Sequence, residues 1–353
     1  MQERRLEREG KELAVKLIST RGILRILPTI LLITFVVGIS TYILASVAIM
    51  VLPLVMASLI AAMLRLAVPY ALTSIGETIS ELSGIVNIGL EGLILLGAFS
   101  ATYVTYFTNN PWLGVVVATF VSALVGFVHA LISSHPKGNQ LLSGLGINLF
   151  FWYFTAAMLI MVWGELAAGN SPDVPKIPQI QLPFAGPFGT ISPFIILTFG
   201  FGIVAYFVLY KTAIGLRLRA VGENPAAADA AGLNVARIRI IVVIIGAVLA
   251  GLSGAYLAVD QQGMFLRYMS AGRGYMALAI VVFGNWNPLT VLGGGLLFGY
   301  AEALMIRLAP ALGVGIPPQL LQAIPFLLVL AILITARGRA RAPSSLGKPY
   351  KKE

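Results

Sequence analysis

Cysteine is absent from this chain, and charged side chains are scarce. A chain without cysteine has no disulfide framework and no thiolate metal site. Charged residues make up 11% of the chain, whereas soluble domains carry about 25%. The chain has only two histidines and no glycine-rich loop ending in Lys-Ser or Lys-Thr. We therefore expect no enzyme, no metal site and no cofactor bound by this chain.

Long apolar runs take the place of the missing charge. The chain is 58% hydrophobic, with a mean hydropathy of +0.91. One membrane helix needs about 20 apolar residues, and the runs are continuous rather than alternating, which argues against a β-barrel. The sequence predicts an all-α, polytopic transmembrane bundle of about ten segments, of which 274–284 is short, tilted or re-entrant. The predicted segments are 26–48, 50–72, 87–108, 112–133, 140–163, 191–210, 239–259, 274–284, 289–307 and 317–336.

Basic residues predict the orientation of these segments. The net charge of +10 is concentrated in residues 1–25, 211–238 and 337–353, which flank membrane spans. Basic flanks stay cytoplasmic, and ten segments place all three stretches on that side. We predict a cytoplasmic N-terminal segment at 1–25, a permease domain at 26–336 and a cytoplasmic tail at 337–353. Because the excess charge flanks spans, we expect a multi-pass protein of the plasma or inner membrane that binds no nucleic acid.

Two polar side chains stand at the start of the third predicted span. A polar turn is predicted at 76–84, and Asn87 and Glu91 follow it. Residues four apart share one face of a helix, so we expect these two side chains to point the same way. Polar groups within a bilayer line a pathway or hold helices together. Both roles remain open from the residues alone.

Small residues recur every four positions in two spans. This spacing lets helix backbones approach closely where lipid supplies no hydrophobic drive. We therefore predict two helix-packing faces, formed by Gly246, Ala250 and Gly254 in the seventh span and by Gly295, Gly299 and Ala303 in the ninth.

The basic loop 211–238 contains the pattern of a short capped helix. Asn224 is suited to cap it, Pro225 to occupy its first position and Gly232 to end it. The small side chains between them would form a knob that fits a groove in another protein. The predicted segment comprises Glu223, Asn224, Pro225, Ala226, Ala227, Ala228, Asp229, Ala230, Ala231 and Gly232.

This loop resembles the coupling segment through which ABC importer permeases dock on their ATPase. Residues 246–255 resemble the helix that follows it in branched-chain amino acid, ribose and nucleoside permeases. Residues 83–92 and 272–288 are most similar to the nucleoside-type members, which work with a basic-membrane-protein-type lipoprotein receptor. The resemblance covers roughly residues 55–335.

The resemblance implies an importer with two permease subunits, two ATPase sites and an external binding lipoprotein. The second permease would be a different chain, with a homodimer as the alternative. The ATPase partner would bind ATP and Mg²⁺, and it would push on the coupling segment. Nucleosides are the expected substrate, with ribose-like sugars or branched-chain amino acids as alternatives. An ion-coupled carrier or channel is the alternative from another class, and the few ionisable groups within the spans argue against it.

A nucleoside path would need aromatic faces and amides. Nucleobases stack on aromatic rings, and sugar hydroxyls bind amides. Residues 150–153 of the fifth span are all aromatic. The candidate path residues are Asn87, Glu91, Asn148 and Trp152, although the aromatic run could equally face lipid or another helix.

Overall fold

The computed structural model describes residues 35–37, 52–135, 138–167, 169–182, 189–311, 327, 331 and 341–351. Two compact units divide the chain at residue 57. In the first unit, the described residues are 35–37, which are helical, and the start of a helix at Leu52. All the contacts below lie in the second unit, Ser58–Glu353. The predicted spans 26–48 and 317–336 lie almost entirely outside the described residues.

The described part of the chain is mostly helical, and the strands among its residues form one small hairpin. Seven of its helices are long and apolar enough to cross a bilayer, as expected of a polytopic helical bundle. The helices are α1 (Leu52–Glu81), α2 (Leu90–Thr108), α3 (Pro111–Ser134), α4 (Gln140–Trp163), α5 (Pro193–Lys211), α6 (Ala213–Glu223), α7 (Pro225–Ala230), α8 (Val235–Ala255), α9 (Arg273–Phe283) and α10 (Pro288–Ala311). A 3-10 turn at Glu165–Ala167 and a π-helical continuation of α8 at Tyr256–Gln262 complete the helical elements.

Short polar residues begin several of these helices, as their capping chemistry predicts. The Asn110 side chain accepts the backbone N–H groups of Trp112 and Leu113 at 3.1 and 3.2 Å, and Pro111 takes the first helical position. Asn139 caps α4 in the same way. Such side chains satisfy N–H groups that have no partner within the helix. The turn between the third and fourth predicted spans is therefore confirmed.

The turn predicted at 76–84 is largely wrong, because α1 continues to Glu81. Glu77 and Glu81 are fully or almost fully buried in its last turns. Their carboxylates accept the backbone N–H of Asn87 at 2.7 Å and the indole N–H of Trp286 at 2.6 Å. The sequence alone assigns these two carboxyl groups to a turn, whereas the structure buries them and gives each one an N–H donor.

The shared helical face predicted for Asn87 and Glu91 is also wrong. Helix α2 begins at Leu90, so Asn87 lies in the non-helical chain before it. The Asn87 side-chain oxygen accepts the N–H of Gly89 at 2.9 Å, which folds the chain back locally in an Asx-type turn.

Helix α8 lies at the centre of the bundle, against α1, α2 and α3. A side chain at Gly97 of α2 would lie 2.7 Å from the Cα atom of Gly251. On the other side of α8, a methyl group at Gly246 would lie 3.0 Å from the carbonyl oxygen of Gly76. The structure places the predicted small residues of α10 against α1, with Gly295 beside Ala71 and Gly299 beside Ala67. Ala250, Gly254 and Ala303 are buried as well.

Helix α9 is a half-length element at the end of a non-helical stretch. Its 11 residues span about 16 Å at 1.5 Å per residue, roughly half of a bilayer core. The predicted short segment is therefore confirmed as short. The loop before α5 packs on the chain leading to α9, with the Ser171 N–H donated to the Phe265 carbonyl at 2.8 Å. That loop carries the antiparallel pair β1 (Ile180–Gln181) and β2 (Thr190–Ile191), in which Ile180 pairs with Ile191.

Candidate functional site

The carboxylate of Glu91 holds the start of α9. Glu91 Oε1 accepts the Ser270 hydroxyl at 2.5 Å and the Gly272 N–H at 2.7 Å, and Oε2 accepts the Gly274 N–H at 2.7 Å. The side chain is 1% exposed. A helix start offers unpaired N–H groups and a partial positive charge, both of which a carboxylate satisfies.

Two glycines allow this arrangement. Gly272 has φ +82°, a backbone conformation that residues other than glycine rarely adopt. A Cβ atom at Gly274 would lie 2.6 Å from the Cα atom of Glu91. The glycine-rich motif at 272–274 is thus explained by close approach of α9 to the start of α2.

Asn148 on α4 joins the same two segments. Its amide nitrogen donates to the Ile88 carbonyl at 2.8 Å and to the Tyr275 hydroxyl at 3.1 Å. Its oxygen accepts the N–H of Gly92 at 2.8 Å. Asn148 therefore binds backbone groups on both sides of the start of α2. Tyr275, in the first turn of α9, is 46% exposed.

An aromatic pair lies one turn further along α4. The ring of Trp152 stacks on Tyr268 with a centroid separation of 4.4 Å and an interplanar angle of 19°. The Arg267 guanidinium lies over the Tyr268 ring at 4.8 Å. Of the aromatic run at 150–153, Phe150 and Tyr153 are 58% and 66% exposed. The run therefore divides between the bundle interior and its outer surface.

A buried ion pair beside α9 was not predicted from the sequence. Arg273 and Glu302 are joined at 2.6 Å, with side chains 12% and 13% exposed. The Tyr70 hydroxyl donates to the other Glu302 oxygen at 2.9 Å. Charged residues at the edge of one apolar segment and within another were the available signal, but only the fold brings Arg273 and Glu302 together.

The structure thus brings the four candidate path residues to one region. The non-helical stretches before α2 and α9 are surrounded by Glu91, Asn148 and Trp152. Asn87 lies in the first of these stretches. Both Glu91 oxygens and both polar atoms of Asn148 bind protein groups. Within the described residues, no group of three histidine, aspartate or glutamate side chains is arranged to hold a metal ion.

The predicted coupling segment is a short helix with a small-residue surface. Asn224 accepts the Ala227 N–H at 3.0 Å, α7 begins at Pro225, and Gly232 has φ +85°. Ala228 faces inward and packs with Val221 and Val235. The outward residues are Glu223, Asn224, Ala226, Ala227, Ala230, Ala231 and Gly232, with Pro225 and Asp229 partly exposed.

Helix α6, just before this segment, was missed by sequence reasoning. The Thr212 hydroxyl accepts the N–H of Gly215 at 3.3 Å and caps it, and Leu218 and Val221 lie on its buried side. The apolar spacing was the available signal, but the adjacent basic residues favoured a loop.

Replacing Asn148 with aspartate is expected to lower the melting temperature of the purified protein. Aspartate keeps the acceptor for Gly92 but cannot donate to Ile88 or Tyr275, a loss of about 1–3 kcal/mol for a buried unsatisfied group. Asn139→Asp is the matched control, because that side chain only accepts the N–H groups of Leu141 and Leu142. Equal melting temperatures for the two variants would contradict the assigned role.

Comparison with known proteins agrees with this architecture. Residues 59–333 match the family described as branched-chain amino acid transport system, permease component. The guanosine ABC transporter permease protein NupQ of Bacillus subtilis is 35% identical over 84% of this chain and 97% of its own length. The nucleoside ABC transporter permease protein NupC of Lactococcus lactis is 34% identical over 83% and 96%.

A third relative carries a different substrate in its name. The putative glucose ABC transporter permease protein TsgC13 of Haloferax volcanii is 32% identical over 84% of this chain and 98% of its own length. No solved structure matches the chain. The family match covers most of the chain, including the non-helical stretches before α2 and α9 and the short helix α7, so this multi-pass membrane protein belongs to the permease-component family of ABC transporters.

Proposed function

We propose that this chain is the permease subunit of an ATP-driven importer of nucleosides. The observation that carries this proposal is its 35% and 34% identity, over nearly their whole lengths, to relatives named as guanosine and nucleoside permeases. The stacked Trp152–Tyr268 pair supports it, because a nucleobase offers a flat face to aromatic rings. Import of sugars is the second candidate, favoured by the glucose-named relative.

The residues around the non-helical stretches before α2 and α9 fit a site that binds substrate weakly as it passes. The Trp152 and Tyr268 rings offer a stacking surface, and the Tyr275 hydroxyl is the partly exposed polar group beside Asn148. The buried Glu91 carboxylate is fully engaged by α9, so we assign it to positioning that helix. Affinity for substrate would come from an external lipoprotein receptor, which delivers nucleoside to this path.

Energy would come from a partner, because this chain carries no ATPase motif of its own. A cytoplasmic ATPase holding ATP and Mg²⁺ would dock on α7, whose outward alanines leave room for a closely fitting groove. A second, different permease chain would complete the pathway. If the ATPase docks on α7, then α7 and both termini are on the cytoplasmic side. The contact of residues 341–351 with α6 and α8 supports placing the C-terminal end on the same side as α7.

Arginine on the outward face of α7 is expected to prevent ATPase binding. Ala227→Arg should reduce ATPase recovered with the purified permease by about tenfold or more, because a long charged side chain cannot enter a groove fitted to alanine. Gln181→Arg is the control. It adds the same side chain to exposed β1, which precedes α5 whereas α7 follows it, and it should have no effect. Ala228 is unsuitable for this test because it is buried. Equal ATPase recovery from both variants would refute docking at α7.

Substrate class is tested by competition during uptake. Vesicles containing the complete importer and its receptor should take up labelled guanosine or uridine, and unlabelled nucleosides should compete while glucose, ribose and leucine do not. Competition by glucose would favour the sugar importer, and competition by leucine the amino acid importer. Uptake by this chain alone, without any ATPase, would refute the importer and favour an ion-coupled carrier or channel.

A further inference from the structure

Residues 341–351 run across the end of the bundle that carries α7. Their backbone is bound at separate points: the Ser345 N–H donates to the Gly222 carbonyl at 2.9 Å, and the Gly347 N–H donates to the Gly84 carbonyl at 3.0 Å. The N–H of Arg341 donates to the Asn285 side chain at 2.8 Å. One segment therefore contacts the end of α6, the turn after α1 and the turn after α9.

Side chains of the same segment hold both ends of α7. The Ser344 hydroxyl donates to Glu223, just before α7, at 2.8 Å. The Tyr350 hydroxyl donates to the Asp229 carboxylate within α7 at 3.1 Å, and its ring packs on the Val221, Ala228 and Val235 cluster. These contacts flank the outward alanines and leave them uncovered.

A buried arginine fixes the middle of the segment. Arg239, at 1% exposure, donates to the Ser83 carbonyl at 3.0 Å and to the Ser345 hydroxyl at 3.3 Å. The Ser345 hydroxyl in turn donates to the Gly222 carbonyl at 2.6 Å. Leu346 packs beside an apolar cluster that includes Leu82 and Trp286. Ser345 thus joins α8, the turn after α1 and the end of α6 in one network.

Helix α7 is only six residues long, and Ala228 is its one buried residue. Its own packing therefore gives it a weak hold on the bundle. Through residues 341–351, however, α7 is connected to Gly84 and Asn285. Gly84 precedes the non-helical stretch that leads to Asn87 and Glu91. Asn285 follows α9, whose first turn binds Glu91.

We propose that residues 341–351 form a strap that transmits displacement of α7 to the turns after α1 and α9. The proposal rests on the importer function above, in which an ATPase moves α7. A displaced α7 carries the strap with it, and the strap moves the two turns that lead to the Glu91 and Asn148 region. Without the strap, α7 binds the ATPase but moves with less effect on the path.

The test measures uptake and ATP hydrolysis together in the reconstituted complete importer. A triple variant, Ser344→Ala, Ser345→Ala and Tyr350→Phe, removes the side-chain hydrogen bonds of the strap to α6, α7 and α8. A second variant ends the chain at residue 340. Both should recover as much ATPase as the unmodified chain, but with substrate transported per ATP reduced by about tenfold or more for the truncation and less for the triple variant. Lys351→Ala removes an exposed side chain that takes part in none of the strap contacts described above, so it should change neither quantity.

Trypsin reports strap docking independently of transport. Cleavage after Arg341, which is followed by Ala342, requires local release of the segment, so it should be slow in the unmodified protein and faster in the triple variant. A truncated chain that transports as much substrate per ATP as the unmodified chain would overturn the strap, while leaving the importer intact. Failure of the unmodified chain to recover any ATPase would instead overturn the importer function.

Discussion

A Glu91→Ala variant is expected to lose transport and a large part of the stability of the protein. Removing the carboxylate leaves the Ser270 hydroxyl and the N–H groups of Gly272 and Gly274 without an acceptor in a buried site. Each such group costs about 1–3 kcal/mol. The sum, about 3–9 kcal/mol, is comparable with the whole stability of a typical domain, about 5–15 kcal/mol.

Melting in detergent and uptake in vesicles measure these two effects. Glu91→Gln, which keeps one oxygen acceptor, should fall between the unmodified protein and Glu91→Ala. The NH₂ group of the glutamine amide cannot accept a hydrogen bond, so the donors on one side of the site would lose their acceptor. Glu165→Ala, which removes an exposed glutamate outside the membrane helices, is the control and should melt normally. A Glu91→Ala protein that melts at the unmodified temperature would exclude the capping role.

A Gly97→Ala variant is expected to fold poorly, because two helix backbones meet at this residue. The added methyl group would lie 2.7 Å from the Cα atom of Gly251 on α8. Gly251 cannot move aside, since its other surface contacts Ser122 of α3. Overpacking of this kind costs about 1–3 kcal/mol, and more where backbone must shift.

The matched control is Gly146→Ala on α4, where an added methyl group meets no atom within 4 Å. That change should raise stability by up to about 1 kcal/mol, because alanine favours a helix over glycine. The two identical substitutions are thus expected to shift the melting temperature in opposite directions. Shifts of the same sign would show that α2 and α8 are not in close contact at Gly97.

Local patterns predicted most of the helical architecture. Apolar runs located the described spans, and Asn224 marked the start of α7 because capping depends on adjacent residues. The half-length α9 followed from its short apolar run. The four-residue spacing of Gly246 and Gly295 predicted packing faces on α8 and α10, but no such face was predicted for Gly97 of α2.

Buried polar residues were the main source of error in the predictions. Glu77 and Glu81 suggested a solvated turn, because their donors lie 10 and 205 residues away in the sequence. Asn87 was assigned to a helix because the apolar run of α2 conceals its start at Leu90. The partner of Glu302 could not be named either, since Arg273 joins it only through the packing of α9 on α10.

The capping of α9 by Glu91 has a consequence for the order of folding. Glu91 and Ser270 are 179 residues apart, so the ribosome completes α2 through α8 before the partners of this carboxylate exist. The final burial of Glu91 must therefore wait for the C-terminal third of the chain. We expect the start of α2 to be among the last regions to acquire its final structure during synthesis.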